Sequence, residues 1–267
     1  MTFLDVGGNS LYLQVDGAGD PVVLLHGWPT HGQLWRAQVP VLAETRRVIV
    51  PDLPGYGKSP VPTPARFSFN YYADAVEGLI DELGLSGCAL VGHDVGGPVA
   101  MLVAARRPDL TPKLVLLNTT PYPEVSRLLR LLVRAGRLSA LRSFLTSRRG
   151  FGLLFRAGLV HADRKTAADR YYDPVAKDPA RRQALGKMLI DLDFGDLEGL
   201  VARVADAHTP TAIIWAEKDP TASPSVARRL HAQLPGSTLE MIEDCGHFLT
   251  EDRPVEVTRA LVRALNE

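Results

Sequence analysis

The sequence predicts an α/β fold, a mainly parallel sheet covered on both faces by helices and interrupted by one helical insertion. Short apolar runs recur at residues 22–25, 48–50, 88–91, 114–117 and 212–215 and alternate with helix-like stretches. Strands buried on both faces of a parallel sheet have this unbroken apolar character. A second sign is Gly92-His93-Asp94-Val95-Gly96-Gly97, a glycine-rich turn that joins the 88–91 run to a helical segment at 98–106. The third is a break in rhythm after Asn118: from 119 to 208 the apolar residues keep helical spacing, with no convincing strand run.

The remaining elements follow in order. Residues 3–6 and 11–15 flank Gly7-Gly8-Asn9-Ser10 and read as an antiparallel hairpin at one edge, and 237–242 reads as the last strand, before a closing helix at 255–265. This makes eight strands, with the chain divided into a first core part at 1–118, a helical cap at 119–208 and a second core part at 209–267. In the insertion, Arg127, Arg130, Arg134 and Arg137 fall near helical spacing on one face, with Leu128, Leu131 and Leu132 turned elsewhere. The solvated face of an insertion helix is the expected reading and outweighs a membrane-surface or partner helix.

With 267 residues the chain can bury a substantial interior, and 30 Lys plus Arg balance 30 Asp plus Glu. That balance argues against a general nucleic-acid binder and suits a small neutral substrate. Neither a basic stretch followed by an apolar core at the N-terminus nor a bilayer-length apolar run is present, so a cytoplasmic protein without membrane association is expected. Cys88 and Cys245 read as reduced thiols with no default catalytic part. Oligomeric state stays open, a homodimer included.

The chemistry centres on Asp94. In the G-x-S-x-G turn that presents a nucleophile between strand and helix, serine needs a base to become reactive. A carboxylate, with a reference pKa of about 3.9, is already ionised and suits displacement of a leaving group from a saturated carbon. Asp219 follows the 212–215 run, and His247 lies in Cys245-Gly246-His247-Phe248. Nucleophile, acid and histidine in that chain order, with His26-Gly27-Trp28-Pro29 upstream, resemble the aspartate-nucleophile branch of the α/β-hydrolase fold, which includes epoxide hydrolases and haloalkane dehalogenases. The resemblance covers nearly all of the chain except the insertion. Gly57-Lys58-Ser59 invites a phosphate-loop reading, but Asp52 stands where that motif needs a glycine, so no nucleotide site is expected.

The resemblance implies that Asp94 forms an alkyl-enzyme ester and that His247, oriented by Asp219, activates the water that hydrolyses it. Backbone N–H groups of Trp28 and Val95 would form the oxyanion hole, with no metal or organic cofactor. The leaving group is less sharply indicated. Dehalogenases of this branch carry a tryptophan after the nucleophile and usually an asparagine in the HGxP loop, where this chain has Val95 and Trp28. Epoxide hydrolases use cap tyrosines as ring-opening acids, and HGWP is at home among them. Tyr122, Tyr171 and Tyr172 are therefore candidates, with His93 a further candidate for substrate binding. An epoxide hydrolase acting on a small apolar molecule is the first expectation. A dehalogenase with an unusual halide site comes second, ahead of a non-hydrolytic biosynthetic enzyme or a binding protein on the same fold.

Overall fold

The computed structural model describes residues 2–65 and 67–267. Its strands are β1 (Thr2–Val6), β2 (Asn9–Asp16), β3 (Asp20–Leu25), β4 (Arg46–Pro51), β5 (Ala89–His93), β6 (Leu114–Leu117), β7 (Thr211–Ala216) and β8 (Thr238–Ile242). They form one eight-stranded sheet in the order β1-β2-β4-β3-β5-β6-β7-β8. Pairing is antiparallel from β1 to β2 and from β2 to β4, and parallel across the rest of the sheet. The predicted α/β class and edge hairpin are both present.

Two strands start earlier than their apolar runs. Asp20 and Pro21 pair with Arg46 and Arg47 at the N-terminal ends of β3 and β4, where the sheet meets solvent and polar residues are tolerated. Burial sets in at Val22 and Val48, which is where the apolar runs begin.

The helices are α1 (Val39–Leu42), α2 (Phe69–Glu82), α3 (Gly96–Arg106), α4 (Arg127–Arg137), α5 (Ser139–Leu145), α6 (Arg148–Gly158), α7 (Arg164–Ala176), α8 (Pro179–Asp191), α9 (Leu200–Asp206), α10 (Pro224–Gln233), α11 (Leu249–Asp252) and α12 (Pro254–Asn266). Helices α2, α3, α9 and α10 pack side by side against the sheet, and α12 packs on β6, β7 and β8. Helices α4 to α8 contact one another in succession. Within the 119–208 stretch, α9 stands apart, because Leu200, Val201 and Val204 are buried and the helix lies on α3 of the core layer.

Strand order fixes where a ligand can sit. From β3 the chain goes out to β4 on one side and returns to β5 on the other, which opens a crevice beyond the C-terminal ends of β3 and β5. Residues 26–29 leave β3, and residues 94–97 leave β5, at that crevice.

Candidate active site

At the end of β5, Asp94 adopts φ 50°, a left-handed conformation that a non-glycine residue rarely takes. The turn around it is tight enough that a Cβ on Gly92 would fall 2.3 Å from the Gly96 carbonyl oxygen. The Thr119 hydroxyl, just past β6, donates to the Asp94 carbonyl oxygen at 2.7 Å and braces the turn from the neighbouring strand. Asp94 is thereby held at the crevice with its carboxylate projecting outward.

The loop after β3 meets that carboxylate with its backbone. Trp28 N–H donates to Asp94 Oδ1 at 2.8 Å, and the Val95 N–H bonds the same carboxylate. Gly27 permits this approach, since a Cβ there would lie 2.3 Å from Asp94 Oδ1. His26 is fully buried, which lowers its pKa to about 4 and keeps it neutral, so Nε2 accepts the Leu53 N–H at 3.0 Å.

On the other side of Asp94, His247 Nε2 lies 3.6 Å from Asp94 Oδ2. Its Nδ1 faces Asp219 Oδ2 at 2.8 Å. The second oxygen of Asp219 accepts from Thr221 N–H at 2.7 Å, Thr221 Oγ1 at 2.8 Å and Ala222 N–H at 2.9 Å, so the acid is fixed before it meets the histidine. The structure thus brings Asp94, Asp219 and His247 together from the ends of β5 and β7 and the loop after β8. It also sets the Trp28 and Val95 amides on the Asp94 carboxylate.

Electrostatics divides the three groups. Burial alone would raise the Asp94 carboxyl, but the hydrogen bond and charge of His247, followed by His93 and the Val95 N–H, hold it below the usual carboxylate value. Burial alone would lower His247. The charge and hydrogen bond of Asp219, then those of Asp94, outweigh burial and push the imidazole up to about 10. At neutral pH the resting site therefore holds an imidazolium between two carboxylates.

Asp94 lines a two-lobed cavity. One lobe, of about 50 Å³, is bounded by Trp28, Val95, Pro98, Phe69 and Leu189. The other, of about 260 Å³, lies on the His247 side under Leu128, Leu132, Leu154 and Phe248. Thr120 and Thr221 are the hydroxyl-bearing residues on these walls, and no tyrosine lines either lobe.

The tyrosines expected from sequence lie elsewhere. The buried Tyr171 hydroxyl donates to Glu251, which also pairs with Arg36 and Arg170. Tyr122 donates to Gln233 Oε1 at 2.7 Å beneath the Arg229 guanidinium, on a separate surface cleft. Tyr172 packs edge-on against Phe151, with ring centroids 5.4 Å apart. His93 points away from both lobes: burial pushes its pKa down to about 4, and the neutral ring places Nε2 3.0 Å from the His247 carbonyl oxygen. It serves as a support under the His247 loop. The Trp28 indole N–H donates to the Leu185 carbonyl oxygen of the cap at 3.0 Å.

Two further supports have no motif in the sequence. Asn118 Nδ2 donates to the carbonyl oxygens of Gly246 (3.2 Å) and His247 (3.0 Å), and its Oδ1 accepts the Ala216 N–H at 2.8 Å. Asp252 accepts from Gly246 N–H at 2.9 Å and from the cap amides of Val160, His161 and Ala162 at 2.9, 2.9 and 3.0 Å. The position of Asn118, a polar residue at the C-terminal end of a buried strand, is a usable signal. Asp252 offers none, because its partners are backbone amides remote in sequence.

Comparison with known proteins agrees with this fold. The alpha/beta hydrolase fold family matches residues 20–254. Haloalkane dehalogenase 2 of Mycobacterium tuberculosis is 30% identical over 254 residues, covering 92% of this chain and 88% of that protein. A cis-3-alkyl-4-alkyloxetan-2-one decarboxylase of Shewanella oneidensis is 29% identical, covering 99% of this chain and 88% of that protein. Among solved structures, a loop variant of a haloalkane dehalogenase from Bradyrhizobium elkanii superposes with a TM-score of 0.83 at 24% identity, covering 98% and 94% of the two chains.

Proposed function

The chain belongs to the α/β-hydrolase fold family, and on that premise we propose that it is a hydrolase of the dehalogenase type. Asp94 displaces a halide from a saturated carbon of a small, largely apolar molecule. The observation that carries this reading is the division of labour within one carboxylate. Oδ1 is held by the Trp28 N–H, whereas Oδ2 faces His247 Nε2 at 3.6 Å, and Asp94 borders a cavity with apolar walls.

In the first step Oδ2 forms a bond to carbon as the carbon–halogen bond breaks, and the halide leaves with the bonding electron pair. Oδ1 becomes the ester carbonyl oxygen, already bonded by the Trp28 N–H, with the Val95 N–H also on this carboxylate. Esterification removes the Asp94 charge, one of the influences that raise the His247 pKa, so the imidazolium more readily gives up its proton to solvent. The neutral Nε2 then takes a proton from water as that water attacks the ester carbon, and the oxyanion develops on Oδ1. Collapse of this intermediate breaks the bond to the alkyl oxygen, which regains a proton from His247 and leaves as the alcohol.

The leaving group decides between this reading and the epoxide hydrolase first expected. An opening epoxide calls for a proton donor at its oxygen. The tyrosines named for that part are engaged with Glu251 and Gln233 or packed on Phe151, away from the cavity. A halide needs no proton as it departs. The dehalogenase relative at 30% identity supports the same choice.

The test is the intact mass of His247→Ala after exposure to separate panels of haloalkanes and epoxides. Removing His247 stops ester hydrolysis but leaves alkylation intact, so an adduct lacking the halogen and mapped to Asp94 is expected. An adduct of whole epoxide, with none from any haloalkane, overturns the halide reading. Absence of every adduct, with fold retained, removes the nucleophile assignment.

A further inference from the structure

The cap carries an unpaired positive charge that the proposed chemistry does not use. Residues 125–162 contain eight arginines and no aspartate or glutamate. Arg148 pairs with Asp169 outside that stretch, whereas Arg127, Arg130, Arg134, Arg137, Arg149 and Arg156 are exposed and have no ion-pair partner among the described residues. The same stretch also supplies most of the large apolar side chains on the surface, among them Leu131 at 64% and Leu153 at 54% exposure, with Leu138, Leu141 and Phe144.

Helical spacing sets these groups in two stripes. Arg127, Leu131 and Arg134 follow one another at i, i+4 and i+7 along α4, and Arg149, Leu153 and Arg156 do the same along α6. Next to each stripe is the face that lines the large lobe: Leu128 and Leu132 on α4, Leu154 on α6. Phe144 and Leu153 are both exposed and part of the cavity wall, so the apolar lining runs continuously out to the surface. Exposed leucines alone would match a solvated helix face poorly, and arginines alone would not explain the leucines.

We propose that this cap face rests on an anionic lipid bilayer and that the large lobe receives apolar substrate dissolved there. The arginines contact lipid phosphates while the leucines and Phe144 enter the acyl boundary, the arrangement of an interfacial amphipathic surface. Each arginine near a negatively charged leaflet adds to the attraction, so several acting together make a measurable affinity. Contact is peripheral, as no helix among the described residues is long and apolar enough to cross a membrane. The sequence alone favours a solvated helix. The surface leucines beside the cavity mouth reverse that preference.

This inference rests on the proposed function only in taking the large lobe as the place of the substrate. Its test reads binding, without turnover. The full-length protein is floated with vesicles of phosphatidylcholine alone and of phosphatidylcholine mixed with phosphatidylglycerol. The expected result is at least about tenfold stronger association with the anionic vesicles, lost at high salt. The combined change Arg127→Glu, Arg134→Glu, Arg149→Glu and Arg156→Glu should abolish binding with an unchanged circular dichroism spectrum. The milder pair Arg127→Gln and Arg149→Gln should weaken it, and Leu131→Ser with Leu138→Ser should weaken it at low salt. Asp94→Asn should bind as the natural chain does, which separates failure of the chemistry from failure of the surface. Equal association with both vesicle types overturns the proposal. So does binding indifferent to the arginine changes, or a dimer that Leu131→Ser dissociates in a protein that ignores vesicles.

Discussion

Core and cap treat their polar groups in opposite ways. At the strand ends of the core, side chains and amides converge on one point: Asp94 is met by the Trp28 N–H and by His247, and His247 by Asp219. In the cap, the polar groups nearest the site are turned toward the core as fasteners. Tyr171 and Arg170 bond Glu251, and the amides of residues 160–162 bond Asp252. What the cap offers the cavity is apolar wall. Under the proposed function the contrast would separate reaction from selection, the sheet fixing which bond is made and the cap which molecule reaches it.

Substitutions on the two sides should therefore fail differently. The largest effect is expected from Asp94→Asn, which should lower turnover about 10⁴-fold or more while the protein stays folded, as judged by steady-state rates and a melting curve. Retained activity would remove the division. Glu251→Ala should do the reverse. It leaves Arg36, Arg170 and the buried Tyr171 hydroxyl without their acceptor, and a loss of about 2–3 kcal/mol in urea unfolding is expected, discounted because Arg36 is partly exposed.

Charge coupling gives a third test within the core. Asp94→Asn should lower the His247 pKa from about 10 by about one unit or more, read by NMR titration of the imidazole. Because the folded value lies above the ordinary 6.5, the stabilisation from protonated His247 is complete below pH 6.5 and is lost as pH rises through about 10. His247→Gln should accordingly flatten the decline of stability over that window.

Smaller effects belong to the cap wall. Leu132→Phe narrows the large lobe and should reduce kcat/KM for long substrates about 10-fold while leaving short ones nearly unchanged. Smallest of all, Tyr171→Phe should alter kcat less than about twofold and cost about 1 kcal/mol of stability. A fall of about 10²-fold in kcat would return that hydroxyl to the reaction and restore the epoxide reading.

The same division explains what could be read without coordinates. Each of the inner strands β3 to β7 is announced by its own apolar run, because a parallel strand is buried by its neighbours whatever their identity. The Asp94 turn is equally local, since glycines, nucleophile and helix start lie within six residues. Which way a cap tyrosine points depends on helix packing that no local pattern encodes, so Tyr171 and Tyr172 look alike in sequence and lie against Glu251 and Phe151 in space. The role of Asp252, the inward turn of His93 and the partners of Asn118, whose place at a strand end is its one signal, are hidden for a related reason. All three residues act on backbone atoms of the His247 loop or the cap, and backbone partners leave no residue type to recognise.

The Asp94 carboxylate accepts from both the Trp28 and the Val95 amides even before any substrate arrives. A serine side chain ends too soon to do this, whereas the carboxylate fills the anion socket with its own oxygen. Carboxylic esters and amides, whose hydrolysis needs that socket for their carbonyl oxygen, meet a resident competitor at an effective concentration no diffusing ligand can match. On the proposed chemistry the protein is self-ligated against acyl transfer, and the socket becomes useful only once the competitor is itself turned into the ester.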